Sequence, residues 1–244
     1  MEALVVSGAA CTITLGGGLL ALRLEAYRGL IYAFCAGALI AAALMEVVPD
    51  ALEVLESSRS WLHHHHLLFA CTLGFLSFYL LERASHGNTD RSHTSHDSHA
   101  HHAGLLGATG IGVHSFLDGF AIGQGFQAGE QIGWAIAAGV MLHKLADGVS
   151  VAGVMLGTHH TLQATTAMIC VAAFAPIAGV MTQALFVVPP PVVALLLGWF
   201  AGVFLYLGAT SLLPSAHADS HSRWLPLVTL LGVAFIYGAH LLAH

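Results

Sequence analysis

His114-Ser-Phe-Leu-Asp118-Gly119 and His143-Lys-Leu-Ala-Asp147-Gly148 are two copies of one phrase, each set inside a long apolar run. The two histidines stand 29 positions apart, and so do the two aspartates. With about 3.6 residues per helical turn, positions i and i+4 share a face, so each phrase presents an imidazole beside a carboxylate. Two such faces turned toward each other make a cage of two nitrogens and two carboxylates, a ligand set that suits a divalent transition metal. One copy alone reads equally well as an intrahelical hydrogen bond. Two copies point to function, because polar groups in hydrocarbon are costly.

The 244 residues are 57% hydrophobic and 8% charged, with a mean hydropathy of +0.78. Soluble domains carry about a quarter charged residues, so this composition implies an integral membrane protein and excludes a nucleic-acid binder. Formal net charge is −6. Cys11, Cys35, Cys71 and Cys170 fall in four different apolar runs without CxxC spacing, which suits small core residues rather than a disulfide framework or thiolate site. Met1-Glu2 opens the chain without a basic segment, so the first apolar run reads as a retained span.

A bilayer span needs about 20 mostly apolar residues. Eight are expected, over 3–22, 29–51, 63–82, 104–127, 131–156, 163–187, 190–213 and 224–243, in one transmembrane domain covering 1–244. Arg23 to Arg28, Ser57 to Ser60 and Val188-Pro-Pro-Pro191 supply short joints. The one long connection is 83–103. Its 84–102 stretch is rich in Ser and His, with His86, His93, His96, His99, His101 and His102, and is expected to be a disordered metal-binding loop. Loops after spans 1, 3, 5 and 7 hold Arg23, Arg28, Arg83, Arg91 and Arg223, and the other loops hold only Arg59. Basic residues stay inside, which puts both termini outside and the His-rich loop in the cytosol, in a plasma (inner) membrane.

Ala36-Gly37 is repeated as Ala201-Gly202, and Pro49-Asp-Ala51 as Pro214-Ser-Ala216, both at a spacing of 165. The repeat sets span 2 against span 7 and, by extension, spans 1–3 against spans 6–8. With two spans between them, the second unit enters from the opposite face, as in inverted-repeat transporters whose site lies between the halves. The fold class is an all-α membrane bundle of eight helices in a 3+2+3 inverted repeat.

Spans 4 and 5 carry the cage residues. Lys144, the only lysine, lies mid-span and needs Asp118, Asp147 or both as partner. Glu46, three residues before Pro49, is open to three readings: a fifth ligand, an entry-path carboxylate, or a residue at the membrane edge. Gln124 and Gln127 follow the first phrase and can line a wet path, while Gln183 and Ser211 suit helix–helix glue. His63–His66 can gather metal without forming a fixed site, since successive side chains on a helix diverge.

On these phrases the chain resembles the ZIP (Zrt-, Irt-like protein) family of divalent metal transporters over essentially its full length. Gly202-Val-Phe-Leu-Tyr-Leu207 followed by Leu212-Leu-Pro214 is also close to the family's seventh span. The resemblance implies eight spans, outside termini, a His-rich cytosolic loop and His-Asn-x-Pro-Glu-Gly-like phrases on spans 4 and 5. It implies a transport site at His114, Asp118, His143 and Asp147. The family's neighbouring second site falls on Ser115, Lys144 and Ala175, which cannot hold a dication, so one site is expected. Leu117-Asp118 and Ala146-Asp147 replace the family's Pro-Glu, giving a shorter carboxylate and no proline kink.

The expected function is import of Zn²⁺ or a similar ion (Fe²⁺, Mn²⁺, Co²⁺, Ni²⁺ or Cd²⁺) into the cytosol by alternating access, without catalysis or an organic cofactor. The partners are the metal ion and membrane lipid, with a homodimer left open. Rival readings are a membrane-embedded zinc hydrolase and a metal sensor that moves nothing. Against the hydrolase, the chain has no HExxH, and an inverted repeat has no obvious use in a hydrolase.

Overall fold

The computed structural model describes residues 1–58, 62–87, 96–158, 160–183, 185, 189–220 and 222–243. Helix α1 is Glu2–Arg23, followed by a short 3₁₀ turn. Then α2 (Arg28–Ala42), a π-turn at Ala43–Val47 and α3 (Val48–Ser57) run as one rod. Helices α4 (His64–Gly87), α5 (His96–Ala128), α6 (Glu130–Gly157) and α7 (Leu162–Gln183) follow. A second composite rod joins α8 (Pro190–Tyr206), a π-turn at Leu207–Leu212 and α9 (Leu213–Asp219), and α10 is Leu225–Ala243. Among the described residues, six helices are long and apolar enough to cross a membrane, and Leu225–Leu241 is a shorter apolar one.

Each π-turn has the same cause. A proline in a helix lacks an N–H and its ring strikes the carbonyl four residues back, so the preceding turn widens. Ahead of Pro49 the N–H of Val48 donates to Ala43 O; ahead of Pro214 the N–H of Leu213 donates to Gly208 O. Both bonds reach five residues back, and the two sites are 165 residues apart. The helices therefore continue beyond both prolines, to Ser57 and Asp219, where the sequence reading stopped at 51 and 213.

Packing extends the repeat beyond these two rods. A Cβ on Gly37 would strike the carbonyl of Thr229, and one on Gly232 that of Phe34, where α2 crosses α10. The same crossing recurs between α8 and α4, with Gly202 on Cys71 O and Gly74 on Trp199 O. The offsets are 165 from α2 to α8 and 158 from α4 to α10. A second pair of crossings matches as well. Gly17 meets Leu145 O and Gly148 meets Thr14 O between α1 and α6; Gly179 meets Phe116 O and Gly119 meets Pro176 O between α7 and α5. Here α1 maps to α7 at 162, and α5 maps to α6 at 29. Backbone contact at glycine is a common way for helices to associate in lipid.

Helix α6 is central, with 76% of its apolar window buried against 39% for α1 and for α7. Tyr32, Ile111, Met155 and Phe204 anchor the largest buried cluster, while Phe69, Leu80, Phe174 and Leu230 stay exposed on the outer faces. Cys11 and Cys35 are buried, Cys71 and Cys170 half-buried, and all four are free thiols. Helix also occupies both ends of the stretch read as a loop over 84–102. It places His86 on α4 and His96, His99, His101 and His102 in the first turns of α5. His93 lies outside the described residues.

Candidate metal centre

The glycine after each aspartate explains where the cage sits. Gly119 brings α7 onto α5, and Gly148 brings α1 onto α6, so outer helices clamp the two central ones one residue beyond the carboxylates. His114, Ser115 and Asp118 then face His143, Lys144 and Asp147 across the α5–α6 contact, and all six are buried. One ligand atom from each of His114, Asp118, His143 and Asp147 lies within 4.8 Å of the other three.

Asp118 Oδ2 is the hub. It stands 3.6 Å from His114 Nε2 and 3.4 Å from His143 Nε2. Two ligands on a tetrahedral zinc ion, at about 2.0–2.2 Å from the metal, are separated by roughly 3.3–3.5 Å. Both separations from Asp118 come close to that spacing. Asp147 Oδ2 is 4.0 Å from His143 Nε2, and the imidazole rings are 5.7 Å apart between centroids. Phe204 of α8 packs edge-on against His114, at 5.2 Å and 81°, and walls that side of the cage.

Lys144 meets the pairing expected of it. Its Nζ donates to Asp118 Oδ2 at 2.5 Å, Asp147 Oδ2 at 2.6 Å and Ser115 Oγ at 3.1 Å, so all three ammonium hydrogens have acceptors. Ser115 Oγ in turn lies 3.4 Å from Asp147 Oδ2. The ammonium is fully buried. A fixed cation with three partners is the form in which such a group is tolerated in an apolar bundle.

Glu46, on the π-turn, lies with its Oε1 against His143 Nδ1. A carboxylate there favours a proton on Nδ1 and leaves the Nε2 lone pair facing the cage. This is a placement that none of the three readings open from sequence described: a carboxylate standing behind a cage histidine. The wider π-turn is what carries Glu46 around to this face. The Nδ1 atoms of His114 and His143 are both buried without a well-formed hydrogen bond, and what sets His143 apart is the close Glu46 carboxylate.

Other sequence candidates sit apart from the cage. Gln124 and Gln127 are exposed on α5, six and nine residues beyond Asp118. Gln183 is buried against Gly123, where α7 meets α5. His64 pairs with Glu56 at 3.1 Å at the exposed start of α4, beside the stacked rings of His65 and His66. Sequence reasoning gave Ser211 little weight. It lines a cavity with Val154, Gly157, Thr158, Leu207, Leu212 and Ser215; the repeat, which carries Glu46 onto Ser211, was the available signal.

No curated protein matches the chain. The sequence profile described as ZIP zinc transporter matches residues 86–243, a stretch that holds both phrases, the second π-turn and all of α6 to α10. The matched region also holds the four buried side chains that could hold a metal ion, and the chain belongs to the ZIP zinc transporter family, whose members transport divalent metals.

Proposed function

We propose that the protein carries Zn²⁺ or a related divalent ion into the cytosol by alternating access, one ion at a time, through the cage of His114, Asp118, His143 and Asp147. The observation that carries this reading is the convergence of those four buried ligands on two helices that the repeat exchanges for one another. A site on such an axis can be opened to either face by rocking one half of the bundle against the other. The matched glycine crossings support an inverted 3+2+3 arrangement of eight spans, with α4 and α10 as partners. Basic residues after spans 1, 3, 5 and 7 support outside termini, a cytosolic connection between α4 and α5, and a plasma (inner) membrane location.

Lys144 supports a single ion. It fills the place between Asp118 and Asp147 where a second dication would need ligands, and it repels any cation placed there. Nitrogen and carboxylate ligands suit zinc and equally iron, manganese, cobalt, nickel or cadmium. The test is flux of a panel of divalent ions into liposomes holding the purified protein, with metal counted per chain. One ion per cage with transport is expected. Binding without flux would leave a sensor instead.

A further inference from the structure

Lys144 puts a fixed positive charge against both carboxylates of the cage. Its side chain has no exposure to solvent, and its three hydrogens go to Asp118 Oδ2, Asp147 Oδ2 and Ser115 Oγ. The third acceptor differs from the other two, because Ser115 is not among the four metal-holding side chains. When an ion draws on both carboxylates, the Ser115 hydroxyl still holds the ammonium. With no route to water, the charge stays in place whether the cage is empty or full. With neutral imidazoles, the empty cage holds two carboxylates and one ammonium, a single net negative charge. A divalent ion turns this into a single net positive charge. Glu46 adds its own charge to both forms, from a side chain that is 17% exposed and screened by water.

We infer that Lys144 is a built-in counter-charge that lets the cage return empty, so that the protein performs net uptake rather than exchange of one metal ion for another. The inference rests on the cage being the transport site. A change of access passes through a form in which the cage is closed to water on both sides. There the cost of a net charge grows, in Born's treatment, as its square. With Lys144 the empty and loaded cages carry charges of equal size, and the two halves of the cycle meet similar penalties. Without it the loaded cage is neutral and the empty one doubly negative. The loaded form then closes more readily, while the penalty on the empty form rises about fourfold. A carrier of that kind crosses back only with another ion aboard. It exchanges metals without accumulating them.

Lys144→Met tests this, since it removes the charge and keeps an unbranched chain of similar length. Labelled Zn²⁺ is followed into liposomes holding the full-length protein, first with a metal-free lumen (net uptake) and then with equal Zn²⁺ on both sides (exchange). Binding and release enter both measurements, so slower release in the variant lowers both rates. The ratio of net uptake to exchange isolates the empty return. In wild type the two rates should be of similar size. In K144M the ratio is expected to fall by about tenfold or more, which is about 1.4 kcal/mol on the barrier to empty return. A folded K144M with the wild-type ratio overturns the inference. Wild type alone decides the matter if K144M does not fold: luminal Zn²⁺ should not accelerate entry of the label, and acceleration overturns the inference. A wild type that neither takes up nor exchanges Zn²⁺ would overturn the transport reading itself. Normal wild-type uptake with an unchanged ratio in K144M overturns the counter-charge alone.

Discussion

Lys144 Nζ and Asp118 Oδ2 are 2.5 Å apart in the buried centre of the bundle, on helices whose corresponding residues are Ser115 and Asp147. The ammonium thus ties the two halves of the cage together, since it also reaches Asp147 on its own helix. It competes with any metal for both carboxylates. Two unit charges about 4 Å apart interact by roughly 4 kcal/mol at an effective dielectric near 20, and about 1.4 kcal/mol is tenfold in affinity.

Replacing Lys144 by Asn therefore has two opposite expected effects. Without metal, the two aspartates lose their counter-charge, and breaking a buried pair costs about 3–5 kcal/mol, so the melting temperature falls. With Zn²⁺, affinity rises at least tenfold, release slows, and the melting temperature recovers. Calorimetry and thermal melts with and without metal read both effects. Weaker Zn²⁺ binding in K144N would end the idea that the ammonium competes with the ion.

His143→Ala and Asp118→Ala each remove one of the four proposed ligands; Asp118→Ala also breaks a buried ion pair and should melt lower, but Lys144 keeps Asp147 and Ser115 as partners. Both proteins should be extractable and folded, and both should lose Zn²⁺ flux to the level of empty liposomes. Asp118 should be the harsher change, because Oδ2 faces both imidazoles and Lys144 at once. Normal flux in either variant would take that residue out of the site.

The cage was legible because its spacing is local: an i, i+4 pair survives any uncertainty about how helices pack. Lys144 was legible for another reason, since a lone ammonium in apolar sequence must find the nearest carboxylates. The internal repeat could be seen only between the second and seventh spans, where Ala-Gly and Pro-x-Ala recur. Between α1 and α7 it is carried by single glycines and backbone carbonyls, such as Gly17 against Leu145 O and Gly179 against Phe116 O, which leave almost no pattern in a chain this rich in glycine. Glu46 stayed ambiguous because its direction depends on a π-turn. An ordinary helix through Pro49 would rotate it by most of one residue. The helix over 84–87 and 96–102 was missed because a Ser- and His-rich composition argues against a buried face, not against helix itself.

The glycine crossings give a prediction with its own control. A Cβ on Gly37 or on Gly202 meets a backbone carbonyl, which cannot move aside as a flexible side chain can. Overpacking of this kind costs about 1–3 kcal/mol or more, so G37A and G202A should each lower the melting temperature, by similar amounts. Gly8→Ala, with nothing within 4 Å of its added Cβ, should leave stability unchanged or slightly raised. A large loss in G8A, or none in G37A and G202A, would refute the matched crossings.

Glu46→Gln isolates the carboxylate behind His143. The amide keeps the shape of the side chain but removes the charge that favours Nδ1–H, and it can present either N–H or C=O to the ring. Half of those arrangements put the proton on Nε2, where it points into the cage and opposes a metal. Partners that orient a ligating histidine typically contribute 10–100-fold in affinity, so E46Q should bind Zn²⁺ at least tenfold more weakly while remaining folded. Flux at limiting Zn²⁺ should drop by the same factor, and flux at saturating Zn²⁺ should drop much less, because the release side is untouched. The opposite split, with saturating flux lost and affinity retained, would mean that Glu46 takes part in moving the helices rather than in holding His143 for the ion.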